Sequence, residues 1–153
     1  MRSNLLQSLS SSDAPNRLQQ EILAAHESLR SCFREMEDVL AKPAFDAHAL
    51  TSVRLKLAGL RLTRGPLIMR VAQALAGKVT EKEAETLVEL RLSHQRLLQS
   101  ATAHTSRWTL EAIEANWTQY RDETRQQMSQ WIRKAELEQR LVYPLVGRCA
   151  EDA

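Results

Sequence analysis

Apolar residues recur at steps of three, four and seven along four long stretches of the chain, and this spacing predicts four amphipathic α-helices, each with one buried side. The first stretch carries Leu18, Ile22, Leu29, Phe33, Met36 and Leu40. The second carries Leu50, Val53, Leu57, Leu60, Leu67, Val71 and Leu75. The third carries Leu87, Leu90, Leu97 and Ala101, and the fourth carries Ile113, Trp117, Tyr120, Met128, Trp131 and Val142.

Local signals predict where these helices begin and end. The first helix should begin near Asp13–Pro15 and end before Pro43, because the residue before a proline avoids the helical conformation. The second should begin after Asp46 and stop at Gly77.

The third helix should open at Thr80, because Thr80 and Glu83 have the spacing of a capping box. The fourth should start near Thr105–Thr109, where no Gly or Pro marks the boundary, and should stop at Pro144.

The whole pattern predicts an all-α protein. No Gly or Pro lies between Gly77 and Pro144, and one straight helix of that length would measure about 100 Å, so the chain must fold back. Strand alternation and hairpin turns are absent. We therefore expect an antiparallel up-down-up-down four-helix bundle over residues 13–146, with flexible tails at residues 1–12 and 147–153.

Length, cysteines and charge limit the class of protein. The 153 residues suffice for one domain with a substantial core. Two cysteines, Cys32 (expected to be buried) and Cys149 (expected to be exposed in the tail), do not make a disulfide scaffold. No signal peptide and no apolar run long enough for a membrane span is evident, so we expect a cytoplasmic protein.

Each predicted helix also directs a polar residue towards the core. His26, Arg64 and His94 each follow one apolar stripe residue by four positions and precede the next by three, and Glu138 precedes Val142 by four, with Lys134 one turn earlier. Each case alone is ordinary, because core histidines are commonly hydrogen-bonded and long cations extend to solvent. Together they suggest one buried cluster, since bundle cores are where facing helices build metal and cofactor sites.

These residues resemble the hemerythrin-like (HHE cation-binding) family over about residues 14–146. His26 and His94 match histidine ligands of the first and third family helices, and Glu138 with Leu141-Val142-Tyr143-Pro144-Leu145 is similar to the closing motif. The resemblance implies a four-helix bundle with a carboxylate-bridged di-iron centre. However, Lys134, Leu60 and Arg64 stand where that family has metal ligands.

The substitutions imply that the di-iron site has been lost. A cation about 4 Å from another unit charge interacts with it by roughly 4 kcal/mol at an effective dielectric constant of 20, so Arg64 and Lys134 would repel metal. We expect a vestigial polar cluster of His26, Arg64, His94, Lys134 and Glu138, in which Arg64 and Lys134 pair with Glu138. An exposed Lys134–Glu138 contact is the alternative for that pair. Directly after Arg64, Gly65-Pro66 should kink or restart the second helix.

A basic stretch also lies in the second helix. Residues 47–80 contain no acidic side chain and six cations, Arg54, Lys56, Arg61, Arg64, Arg70 and Lys78. Such a surface could meet nucleic acid, an anionic lipid surface or an acidic partner. Few aromatic residues and no recognition signature argue against nucleic acid, and a solvated basic face is preferred.

The sequence thus predicts a non-catalytic binding or regulatory module, with no metal or other cofactor and no membrane association. No catalytic dyad, phosphate loop or zinc spacing indicates an enzyme. A protein partner or a homodimer fits this prediction.

One alternative is a protein that responds to O₂ or NO through non-haem iron held by His26, His94 and Glu138, with His104 or Tyr143 as further ligands. A second alternative is nucleic-acid binding through the basic helix.

Overall fold

A computed structural model describes residues 5–151, with side chains described from Arg17 to Cys149. This part of the chain contains helices and no strand, which confirms the all-α prediction. The helices are α1 (Leu5–Leu40), α2 (Ala47–Leu75), α3 (Glu81–Arg107), α4 (Leu110–Ala115) and α5 (Trp117–Glu151). Four long helices are present, but the fourth differs from its prediction. The helix expected to start near Thr105–Thr109 is divided at Asn116 into the short α4 and the long α5.

Side-chain caps set three helix starts. The Asp46 carboxylate accepts a hydrogen bond from the Ala49 N–H at 3.0 Å, and the Thr109 hydroxyl accepts one from the Ala112 N–H at 3.2 Å. At α3 the predicted capping box is present, because Thr80 and Glu83 each accept a bond from the other's backbone N–H. These bonds satisfy donors that the first helical turn leaves free.

α1 and α5 lie side by side in opposite directions. Early α1 contacts late α5 where Gln19 Nε2 donates to the Tyr143 carbonyl oxygen at 3.1 Å, and late α1 contacts early α5 where Arg125 binds Glu37. Further ion pairs join Lys56 of α2 to Glu35 of α1, and Arg148 of α5 to Glu83 of α3.

Pro66 and Pro144 lie inside continuous helices, which corrects the predicted restart of the second helix and the predicted end of the fourth, whereas a kink at Pro66 stays a prediction. α2 passes through Pro66 without restarting, and α5 passes through Pro144 to Glu151. Each proline lacks an N–H for the carbonyl four residues earlier, on Leu62 or Arg140. Both prolines and both of these residues are exposed, so water can satisfy the released carbonyls.

The continuation of α5 also corrects the prediction for Cys149. This residue is buried, because it extends the stripe of Val142 and Val146 into an apolar cluster. Trp108, between α3 and α4, is likewise buried in the core.

The start of α1 differs from the prediction as well. The helix begins at Leu5 rather than near Asp13–Pro15, and it continues through Pro15. The flexibility of the tails at 1–12 and 147–153 stays a prediction, and residues 1–4, 152 and 153 lie outside the described part of the chain.

The buried apolar residues form two clusters rather than one. The larger cluster joins the second half of α1 and the first half of α2 to late α3, α4 and early α5. The smaller cluster joins early α1, late α2, early α3 and late α5. The residues that separate them along the helices are polar.

Candidate functional site

A layer of buried polar side chains lies between the two apolar clusters. It contains His26 from α1, Arg64 from α2, His94 from α3, and Lys134 with Glu138 from α5, each at most 9% exposed. Along every helix these residues fall between positions of the larger cluster and positions of the smaller one. The helical spacing that predicted an inward direction is the local reason for this placement.

Glu138 is the centre of the layer. Its Oε2 accepts a hydrogen bond from Arg64 Nη2 at 2.7 Å and lies 3.3 Å from His26 Nε2. Its Oε1 accepts a bond from Lys134 Nζ. Both carboxylate oxygens are therefore engaged by cations, and one of them also contacts a histidine.

Lys134 reaches Glu138 from one turn earlier on the same helix. An exposed contact at this spacing is worth only a few tenths of a kcal/mol. Lys134 is 5% exposed, so the exposed alternative from the sequence is wrong and the pair belongs to the buried layer.

His94 joins the layer through Trp131. The His94 ring meets the Trp131 ring edge-on at 5.7 Å between centroids, and the Arg64 guanidinium lies 6.0 Å from the centroid of the same tryptophan. Neither ring nitrogen of His94 has a hydrogen-bond partner among the described residues. The structure thus brings all five predicted residues together, four by direct polar contact and His94 through a shared aromatic neighbour.

The cluster shifts the acid–base behaviour of its members. Burial raises the pKa of Glu138, but the hydrogen bond from His26 and the charges of Arg64 and Lys134 outweigh it and lower that pKa to about 2. Burial, with Lys134 and Arg64 nearby, lowers the pKa of His94 to about 4. Burial also lowers the pKa of Lys134, against the attraction of Glu138. At neutral pH the carboxylate is charged and His94 is neutral.

The charges of the layer do not balance. Even with both histidines neutral, Arg64 and Lys134 supply two positive charges against the single negative charge of Glu138. Two guanidinium nitrogens, Nε and Nη1 of Arg64, have no hydrogen-bond partner among residues 17–149. A buried donor without a partner is costly, and these two atoms share that condition with both ring nitrogens of His94.

The donor set does not fit the di-iron centre that the family resemblance implies. A metal-binding carboxylate needs free lone pairs, whereas both oxygens of Glu138 accept bonds from cations. Among the side chains from 17 to 149, no three His, Cys, Asp or Glu residues are grouped as a metal ion requires. The positive charges of Arg64 and Lys134 lie next to Glu138, where a metal ion would have to bind, and they would repel it.

The two further ligands considered for a reduced iron site lie elsewhere. The His104 Nε2 is 3.1 Å from the Thr124 hydroxyl, and its ring stacks on Tyr120. The Tyr143 carbonyl oxygen accepts the bond from Gln19. Neither residue takes part in the described contacts of Glu138.

The basic stretch of α2 is partly neutralised. Arg64 is buried, Lys56 pairs with Glu35 at 2.7 Å, and Arg70 pairs with Glu21. Arg54 donates to the backbone carbonyls of Thr105 and Trp108, which carry no full charge. α2 therefore does not present a continuous basic surface to which a nucleic-acid backbone could bind.

One surface feature escaped the sequence analysis. Exposed apolar or small residues follow one another along α2 at helical spacing, and we call them the α2 stripe: Leu55, Ala58, Gly59, Leu62, Pro66 and Met69. The Leu62 side chain is 78% exposed and Leu55 is 68% exposed. The seven-residue step from Leu55 to Leu62 to Met69 could have revealed the stripe, but the stronger buried stripe on the opposite side obscured it.

Of the helices within residues 5–151, none combines the length and the apolar character needed to cross a bilayer. Comparisons of the chain with protein-family models, with curated proteins and with solved structures found no match.

Proposed function

We propose that this protein is a hemerythrin-like four-helix bundle without a di-iron site, which acts as a non-catalytic protein-binding module. In this proposal α1, α2, α3 and α5 form an up-down-up-down bundle, in keeping with the opposite directions of α1 and α5. The α2 stripe is its binding surface.

One observation carries the loss of the metal site. Arg64 and Lys134 bind the two oxygens of Glu138, the carboxylate that matches the family's closing motif. Removing one member of a buried ion pair leaves an uncompensated charge. A metal ion that took Glu138 would leave two buried cations without their partner, so the cluster stabilises the bundle in its metal-free form.

The shape of the α2 stripe favours a helix as the occupant. Leu55, Leu62 and Met69 repeat every seven residues, the period with which one helix presents side chains to another. A Cβ atom at Gly59 would meet no other atom within 4 Å, so a partner backbone can approach closely there. Side chains at this spacing are the usual anchors of helix-in-groove recognition.

The charges beside the stripe favour an acidic partner helix over a second copy of α2. Arg54 and Arg61 also stand seven residues apart, each directly before a stripe leucine, and no acidic residue occurs between positions 47 and 80. Two copies of α2 would bring like charges together, whereas Glu or Asp at seven-residue steps on a partner would complement both arginines.

The metal part of the proposal is tested by elemental analysis of protein expressed with added iron. We expect well below one iron per chain and no visible absorption band. Two irons per chain with an absorption band would contradict the lost site. One iron per chain that disappears in His26→Ala would establish the reduced iron site instead.

The binding part is tested with a synthetic amphipathic peptide that carries Leu at seven-residue steps flanked by Glu. Fluorescence anisotropy should show saturable binding to the full chain, which Leu62→Glu lowers at least tenfold. Leu110→Glu is the matched control, because Leu110 is an exposed leucine of α4 outside the stripe. A peptide with Lys in place of Glu should bind more weakly.

Two outcomes would overturn the choice of partner. Equal binding of the Lys and Glu peptides would remove the role of charge. A concentration-dependent dimer in light scattering that Leu62→Glu abolishes would show that a second copy of the chain covers the stripe.

A further inference from the structure

A small cavity opens beside the polar layer. It has a volume of about 70 Å³ and lies among α1, α2, α3 and α5. Its walls are apolar and are formed mainly by Ile22, Leu67, Val71, Leu87, Leu90 and Val142. His26, Arg64 and Glu138 line its polar end, and the exposed Arg91 marks where it meets solvent.

The polar end of this cavity carries an excess of positive charge. Arg64 and Arg91 line the cavity against the single carboxylate of Glu138, and Lys134, which lies outside the lining, binds the second oxygen of that carboxylate. Glu138 does not reverse the balance, because both of its oxygens are already bound to cations. A buried net charge favours a counter-ion in the adjoining space.

The same end also offers unused hydrogen-bond donors. Arg64 is 3% exposed, and its Nε and Nη1 have no partner among the described residues although the side chain lines the cavity. Guanidinium groups bind carboxylates and phosphates through paired N–H donors. A ligand oxygen at this position would satisfy a donor that the protein leaves free.

We infer that this cavity is a binding site for a short aliphatic monocarboxylate, whose carboxylate meets Arg64 and whose alkyl chain lies against the apolar walls. Apolar walls suit a hydrocarbon chain better than a fully hydrated inorganic anion. The volume is about half of the 150 Å³ that accommodates the six carbons of benzene in a buried cavity, so the apolar part has room for an alkyl chain of about three carbons beyond the carboxylate. This inference does not depend on the α2 stripe or on the family assignment.

The site is tested on the full chain with sodium butyrate as the probe. Methyl NMR spectra should show saturable shifts confined to Ile22, Leu67, Val71 and their neighbours, with a dissociation constant of about 1 mM. Butyramide has the same shape without the charge, and it should bind at least tenfold more weakly.

Two variants separate the cavity from the rest of the surface. Ala72→Phe places a ring in the cavity wall and should abolish the butyrate shifts, whereas Ala24→Phe makes the same change at an exposed position of α1 and should leave them unchanged. Arg64→Lys retains the charge but removes the free guanidinium donors, and it should weaken binding about tenfold.

Three results would overturn the inference. The first is equal binding of butyramide and butyrate, and the second is equal competition by chloride or phosphate at matched ionic strength. The third is the absence of methyl shifts in the unmodified protein, which is decisive even where a variant fails to fold. Failure of the acidic peptide to bind the α2 stripe would leave each of these measurements interpretable, because the two sites share no residue.

Discussion

Glu138 shows how one residue organises the centre of this protein. It contacts side chains from three helices, namely His26 of α1, Arg64 of α2 and Lys134 of its own helix α5. Each of these contacts depends on the others, because a buried charge is tolerated only while its partners are present. The effects of mutations in this cluster should therefore be strongly non-additive.

Removal of Arg64 alone should cost more stability than removal of Arg64 together with the charge of Glu138. We expect Arg64→Leu to lower the free energy of unfolding by about 3–5 kcal/mol, because it leaves the carboxylate short of one cation. The double variant Arg64→Leu/Glu138→Gln should recover at least about 1 kcal/mol of that loss.

Urea unfolding followed by circular dichroism measures both values. Arg34→Leu is the matched control, since Arg34 forms an exposed pair with Glu27 and should cost less than about 1 kcal/mol. If the single and double variants unfold at the same urea concentration, the pairing of Arg64 with Glu138 does not contribute to stability.

His94 should make the protein less stable in mild acid. Its folded pKa is about 4, below the ordinary value of 6.5, so between these values the unfolded chain binds more protons than the folded one. Stability therefore falls as the pH falls from 6.5 towards 4. At pH 5 the contribution of this residue amounts to a loss of about 2 kcal/mol.

The variant His94→Phe isolates this effect, because it keeps an aromatic ring beside Trp131 and removes the titration. Its free energy of unfolding should change less between pH 7 and pH 5 than that of the unmodified protein, by about 2 kcal/mol. An identical pH dependence for the two proteins would show that the fold does not lower the pKa of His94. Glu138, with a pKa of about 2, adds its own loss of stability only between about pH 4.5 and 2.

At the scale of helices, solvent exposure of the surrounding residues decides whether a proline ends a helix. Pro66 predicted a kink or restart of the second helix and Pro144 predicted the end of the fourth, yet both lie within helices, because the residues whose carbonyls they leave free are exposed to solvent. Gly77, in contrast, follows the end of α2 with a φ of +72°, a conformation that side chains with a Cβ rarely adopt. The glycine signal acts through its own backbone conformation, so it does not depend on the surrounding packing. The effect of an interior proline does depend on it.

The capping box at Thr80 is such a local signal, and its removal should have a local cost. Thr80→Ala should lower the free energy of unfolding by about 1 kcal/mol, because the Glu83 N–H at the start of α3 loses its acceptor. Thr51→Ala, at an exposed position inside the first turns of α2, is the control and should change stability by less than about 0.5 kcal/mol. Equal effects of the two substitutions in urea unfolding would mean that the cap does not stabilise α3.

Across the molecule, packing is uneven. α3 contributes only three buried residues, Leu90, His94 and Ala101, and its His94 is the member of the polar layer without a direct hydrogen bond. α1 supplies buried residues along its length from Leu18 to Leu40, in both apolar clusters. Regions with few buried apolar contacts open most readily.

Amide hydrogen exchange should therefore be faster in α3 than in α1. Mass spectrometry of peptides from the middle of α3, around residues 88–100, should show exchange before peptides of α1 around residues 24–38. Butyrate, if it occupies the proposed cavity, should slow the exchange near Leu87 and Leu90, which line it. Uniform protection of both helices would contradict this view of the packing.

The sequence by itself determined the helices and the direction of their polar residues. Steps of three, four and seven predicted four helices and one inward-facing polar residue or pair on each, because a side chain's direction along a helix depends on its position alone. The capping box at Thr80 and the α2 start after Asp46 were confirmed for the same reason, since a cap involves neighbours in sequence.

Only the tertiary structure decided how those elements meet. The two oxygens of Glu138 are shared among Arg64, Lys134 and His26, residues as far as 112 positions apart in the chain. Contacts over such separations depend on the depth and rotation of each helix against the others, which no local pattern specifies. The burial of Cys149, the cavity beside Arg64 and the exposed α2 stripe are likewise consequences of packing.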